Sequence, residues 1–180
     1  PIKVFHQCDI FNTLLKKDSG FFAFDIESHP DEKHDFLYGF LEIKSLLEKE
    51  EDYLYKPILN LEKSNKDIFK KVIDKLYSKK DWPILHYGET EKIAIINLAK
   101  INKYSFQEIE LLKSRFIDLH TLIRKYWILP IKNYSLKTVA NWFGFEWTQK
   151  NVSGSKALYW WVQYKITKNN LFLEKIINYN

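Results

Sequence analysis

The sequence predicts an α/β domain built on one central mixed sheet, three antiparallel strands followed by a parallel one, flanked by helices. Three observations carry that expectation. Strand-like runs crowd the first sixty residues, the apolar spacing switches to a helical period near residue 67, and one short apolar run at residues 82–87 stands between two helical stripes. Strands joined by short turns pair antiparallel, whereas a strand reached through a helix adds in parallel.

Residues 21–26 read as the first strand, short and aromatic-rich after the turn signal Asp18-Ser19-Gly20. His29-Pro30-Asp31-Glu32 breaks it, and residues 35–44 form the second strand, with Phe36, Tyr38 and Phe40 alternating against Leu37, Leu41 and Ile43. Residues 52–59 make a third strand that ends near Pro57, and the acidic run at 46–52 before it is a solvated turn. From 67 to 76 the residues Ile68, Phe69, Val72, Ile73 and Leu76 form a helical stripe. Residues 82–87 then read as a buried strand ending at Gly88. Thr90 is placed to cap the following helix, whose apolar positions are Ile93, Ile96, Leu98 and Ile101. Further helices are expected over 106–116, 119–125, 136–143, 156–165 and 171–179, with Asn133 and Gly144 where helix ends would put them.

Apolar residues make up 46% of the 180 and aromatics 17%, which suits a packed globule and excludes disorder. There is no run of the roughly 20 apolar residues needed to span a bilayer and no signal-peptide pattern, so no membrane partner is expected. The single cysteine, Cys8, excludes an internal disulfide framework and a cysteine zinc cluster and fits a reducing, cytoplasmic setting. Five glycines and no Walker-type loop leave nothing to cradle a triphosphate. The net charge of +5 admits a polyanionic partner, although Arg115 and Arg124 are the only arginines and the excess rests on lysine. With no methionine and a start at Pro1, the chain reads as an excerpt of a longer protein, a single domain over 1–180 with an N-terminal extension at 1–19.

The chemistry-bearing motif is Asp25-Ile26-Glu27, on the apolar run Phe21-Phe22-Ala23-Phe24. Side chains two apart on a strand share a face, so both carboxylates project together. Such a pair stays ionised at neutral pH when a hard divalent cation, Mg²⁺ or Mn²⁺, sits between oxygen ligands. The plainer reading of the three letters alone is a solvated strand end.

Downstream pieces add weight. Phe22-Ala23-Phe24-Asp25-Ile26-Glu27-Ser28, then Ile84-Leu85-His86-Tyr87-Gly88-Glu89-Thr90-Glu91, Ile117-Asp118-Leu119, Tyr134-Ser135-Leu136-Lys137, Gly144-Phe145-Glu146-Trp147 and Ser153-Gly154-Ser155 before Tyr159-Trp160-Trp161 follow in order. This ordered set resembles the RNase H-like DEDD 3′–5′ exonucleases, and more narrowly the predicted exonuclease domain fused behind RecB-type nuclease modules. The resemblance implies a two-metal phosphodiesterase acting on DNA or RNA, with Asp25 bridging both ions and Glu27 holding one. Metals about 3.5–4 Å apart stabilise the attacking and leaving oxygens of an in-line displacement. Where the family pattern has an aspartate in its second motif, this chain offers Glu91 or Glu89. Glu91 is preferred because it begins the helix beside the strand end, where helix-dipole electrostatics alone also favour an acid. The resemblance further implies a last metal-binding aspartate shortly after Tyr179-Asn180, so the chain is expected to stop just before it.

Other residues carry two readings each. Asp118 either caps a helix or approaches the metal site as a further ligand. His86, Tyr87 and Lys137 are candidates to position water or the scissile phosphate, with a core histidine and aromatic as the alternative. His29, His34 and His120 lack ligand-like spacing and read as surface residues. Trp142, Trp147, Trp160 and Trp161 either stack bases or pack a core, and helical spacing favours the core. Asp25 with Glu42 and Lys44 also spells the PD-(D/E)XK nuclease pattern, and a non-catalytic module that binds nucleic acid or a protein is the alternative from a different class.

Overall fold

The computed structural model describes the backbone of residues 3–4 and residues 20–63, 65–147 and 154–180 in full. Cys8, the turn signal Asp18-Ser19 and Ser153 lie outside the described residues, as does most of the 1–19 extension. Strand β1 (Lys3–Val4) pairs antiparallel with β8 (Trp127–Ile128), apart from the main sheet.

The main sheet is mixed, with order β4 (Leu54–Tyr55), β3 (His34–Ile43), β2 (Phe21–His29), β6 (Ile84–His86) and β7 (Phe116–Asp118), and β5 (Ile58–Leu59) also paired to β3. Strands β2 (Phe21–His29) and β3 (His34–Ile43) form its long antiparallel hairpin. The turn between them closes with Lys33 N–H donating to the Pro30 carbonyl, Lys33 taking φ 50°. The expected third strand is split, because Pro57 has no N–H to give a ladder. Its halves are β4 (Leu54–Tyr55) and β5 (Ile58–Leu59), both on β3, after a short 3₁₀ turn at Glu50–Asp52.

Helix α1 (Lys66–Tyr77) starts at Asn65, whose side chain accepts from the N–H groups of Asp67 and Ile68. It leads into β6 (Ile84–His86), parallel to β2 with Phe22 opposite Ile84 and Ala23 opposite Leu85. Helix α2 (Thr90–Ile101) begins at Thr90 itself, so Thr90 is not its cap. Its buried positions are Glu91, Ile95, Leu98 and Ala99, while Ile93 and Ile101 are exposed. Helix α3 (Phe106–Ser114) opens with a Ser105–Glu108 capping box. The stretch expected to continue that helix instead forms β7 (Phe116–Asp118), parallel to β6. Helices α4 (Leu119–Tyr126), α5 (Leu136–Trp142), α6 (Gly154–Thr167) and α7 (Leu171–Tyr179) complete the chain. Gly144 follows α5 with φ 88°, the left-handed C-terminal position. Asn133 lies ahead of α5, accepting from Ser135 N–H and the Thr138 hydroxyl. Among the described residues no helix is long and apolar enough to cross a membrane.

Among the described residues the core forms four clusters, the two largest of which pack on β2 and β3. Phe22, Phe24, Tyr38 and Phe40 face α1, α2 and α3, packing on Val72, Ile73, Leu76, Ile95 and Leu112. Elsewhere Phe36 and Leu37 meet Trp160 and Trp161 of α6 and Leu173 and Ile176 of α7. His34 belongs to this second core: it is buried edge-on against Trp161, which corrects its reading as a surface residue. Trp160 and Trp161 are likewise core, whereas Trp142 is 39% exposed.

Glu42 is paired with Phe22 across the ladder and so lies on the helix-facing side, where Lys75 of α1 and Lys56 hold its buried carboxylate. Burial alone would raise its pKa, but the two ammonium donors outweigh it and the net shift is downward. A lowered carboxylate stabilises the fold above its ordinary value of 4.5 and loses that contribution as pH falls through the lower, folded value. Glu42→Gln is therefore expected to cost roughly 1–3 kcal/mol at pH 7 and to flatten the acid limb of a plot of urea midpoint against pH. An unchanged acid limb would remove the ion pairs from the account of stability.

Candidate active site

The site lies at the carboxyl ends of β6 and β7, beside the middle of β2, where open α/β sheets present their ligands. Asp25 is opposite Gly39 and Glu27 opposite Leu37 in the β2–β3 ladder, so both carboxylates leave the face away from α1 and α2. A register shift between Glu27 and Ser28 ends the regular pairing just beyond them. Asp25 opens onto a cleft of about 520 Å³ that Gly39, Tyr55, His86, Tyr87 and Leu136 also line.

Both carboxyls are under electrostatic stress. Asp25 keeps an exposed face on the cleft, yet crowding by its walls, with the Glu91 charge second, raises its pKa to about 6 against donors from Ile26 N–H and Asn180. Glu27 rises to about 7, through burial first and the Asp25 charge second, again opposed by Asn180. Glu91 reaches the same region from the first turn of α2 and is buried, with His86 Nδ1 at 3.7 Å from its Oε2. That is beyond a hydrogen bond, and neither Glu91 Oε2 nor either ring nitrogen of His86 has a partner among the described residues. Glu89 is exposed and lines a different hollow with Lys92 and Lys113. Of the two glutamates, Glu91 is the one turned inward.

The donor set suits a hard cation. It consists of carboxylate oxygens, one of them buried and orphaned, and Mg²⁺ characteristically takes one or two protein carboxylates and fills its shell with water and substrate phosphate. Among the described residues no three His, Cys, Asp or Glu side chains converge into a ready-made cage. Asp25 and Glu27 would hold the ion, with Glu91 near enough for its charge to act on Asp25.

Asp118 has other work. Its Oδ1 accepts from the N–H groups of His120 and Gly88, and its Oδ2 from the Thr121 hydroxyl. It caps α4 and fastens the turn after β6, where Gly88 takes φ 98°. Burial pushes its pKa up, but those donors outweigh it and hold it below the usual range. Both oxygens are engaged in capping, so the structure does not bring Asp118 into the carboxylate set.

The expected substrate-binding residues are placed as follows. Tyr87 donates its hydroxyl to the Tyr134 carbonyl and tilts against His120, 5.3 Å between ring centres. His86 is buried edge-on against Phe116. Lys137, in the first turn of α5, lies over the Trp147 ring at 5.5 Å. The PD-(D/E)XK arrangement does not form: Glu42 points to the opposite face of the sheet from Asp25, committed to Lys56 and Lys75, and exposed Lys44 follows the end of β3.

One contributor escapes a reading of motifs. Asn180 Nδ2 donates to Asp25 Oδ2 at 2.9 Å, and the Tyr55 hydroxyl donates to Asn180 Oδ1 at 2.8 Å. The available signal was Gly39, a glycine between Tyr38 and Phe40 inside a strand, which marks close approach by another group.

A family model, RNase_H_2 of the RNase H superfamily, matches residues 22–180, a span that takes in Asp25, Glu27, Glu91 and Asn180. No curated protein and no solved structure matches the chain.

Proposed function

The chain belongs to the RNase H superfamily, and from that premise we propose that it is a metal-dependent 3′–5′ exonuclease domain hydrolysing DNA or RNA. The observation that carries this reading is the Asp25–Glu27 pair, two carboxylates on one face of the central strand, with the buried Glu91, whose Oε2 has no hydrogen-bond partner among the described residues, close enough to act on the Asp25 charge. Two divalent cations held there would polarise the scissile phosphate and bring a bound water toward ionisation near neutral pH. Asp25 would contribute to both ions, Glu27 and Glu91 to one each. His86 and Tyr87, at the end of β6, would orient the phosphate in this reading, and Lys137 would meet its negative charge. A RecB-type nuclease module, fused or associated, is the expected companion, in a cytoplasmic setting.

The full protein, given Mn²⁺ and single strands labelled at one end or the other, should shorten them stepwise from the 3′ end and release nucleoside monophosphates. A chelator should stop it. Internal nicks, or shortening from the 5′ end, would overturn the exonuclease assignment.

A second reading is a non-catalytic module that binds nucleic acid or a partner protein. It is favoured by one observation, that no three ligating side chains converge among the described residues. Calorimetry with Mn²⁺ separates the two, since tight binding lost in Glu27→Gln argues against a purely structural role.

A further inference from the structure

The Asp25–Glu27 pair is closed by a side chain from α7's far end. Asn180 Nδ2 lies 2.9 Å from Asp25 Oδ2 and 3.4 Å from Glu27 Oε1, so one amide edge addresses both carboxylates. The other edge, Oδ1, is taken by the Tyr55 hydroxyl of β4. Beneath it runs β3 at Gly39, the ladder partner of Asp25, where a methyl group would meet Asn180 Oδ1 at 1.9 Å. Two acceptors, one hydroxyl and one missing side chain thus converge on a single carboxamide.

We propose that Asn180 is a reversible oxygen ligand of this site. Without a cation it holds the carboxylates together through Nδ2, and on cation binding it turns over to present Oδ1. The inference rests on the metal-site reading of Asp25 and Glu27. Tyr55 can serve both orientations, because a phenol hydroxyl both donates and accepts: it donates to Oδ1 as seen and can accept from Nδ2 after the turn. Hard cations take side-chain amide oxygens alongside carboxylates. An amide also adds a ligand without adding a third negative charge to a pair that already repels. Gly39 sets the condition for all of this, since any larger residue occupies the space of the amide.

Mn²⁺ titration calorimetry and melting on the full protein test it, with no dependence on turnover. Asn180→Ala should weaken Mn²⁺ roughly tenfold, the scale of losing one supporting group at a metal site. Asn180→Asp should melt lower than wild type without metal, having lost its donor, and yet bind Mn²⁺ more tightly and gain more stability from it. A role limited to packing would give the first effect and not the second. Gly39→Ala should reproduce Asn180→Ala, and the double variant should be no worse than either alone. Two equal, additive losses would overturn the coupling, and Asp25-dependent Mn²⁺ binding that ignores Asn180 would overturn this proposal alone. Absence of any Asp25-dependent binding would overturn the metal site as well.

Discussion

Asp25→Asn is expected to abolish Mn²⁺-dependent shortening of nucleic acid while leaving the metal-free protein at least as stable as wild type at pH 8. The activity loss should exceed about a hundredfold, since even groups that only support a metal's ligands are worth 10–100-fold. The stability effect follows from the direction of the two shifted carboxyls. Their ordinary values are 3.8 and 4.5, and in the fold they stand at about 6 and about 7. Between those limits the native state holds protons that the unfolded chain has released, so stability falls as pH rises and the full penalty is present above pH 7. Replacing Asp25 removes its own share and part of the charge acting on Glu27. The gain should vanish near pH 4, where both groups are protonated in the native state. Mn²⁺ should raise the melting temperature of wild type by mass action and leave that of the variant unmoved. A variant that keeps its Mn²⁺-induced rise would place the ion elsewhere.

Trp161→Ala is the largest stability effect expected. The indole is fully buried, stacked on Phe36 with ring centres 4.7 Å apart and planes 6° from parallel, and it meets the edge of His34 at 5.4 Å. Truncating a buried tryptophan costs about 3–5 kcal/mol, which for a chain of this length lowers the melting temperature by roughly 10 °C or more. Because Trp161 shares its cluster with Leu173 and Ile176 of α7, Mn²⁺ affinity should fall too, through a loosened Asn180. A loss below about 1 kcal/mol in urea unfolding would mean that the contact of α6 with the sheet is not what seats α7.

The parts of this fold that the sequence makes legible are those where one signal dominates. In β2 the aromatic run and its alternation give both the strand and the common face of Asp25 and Glu27. Helix α2 is different. It is apolar on several sides, with isoleucines at 93, 95, 96 and 101, so periodicity finds the helix but cannot choose which face turns inward. Strand β7, three residues directly after α3, is too short to show a period of its own, and the parallel partner at β6 is what makes it a strand. The site divides similarly. Its carboxylate pair is local and visible two positions apart, and Glu91 follows from its place after β6. The Tyr55–Asn180–Gly39 contact joins three unrelated stretches, and only tertiary packing brings them together.

The bond from Asn180 to Asp25 spans 155 positions of the chain. Loop closure over such a distance is entropically costly, and contacts of this kind form after local ones. During synthesis Asp25 and Glu27 therefore emerge long before the amide that closes over them. On the proposed reading, the carboxylate pair would gain its Asn180 ligand only once α7 has docked. Removing α7 is expected to weaken Mn²⁺ binding and, by uncovering Phe36 and Leu37 of β3, to lower the melting temperature as well.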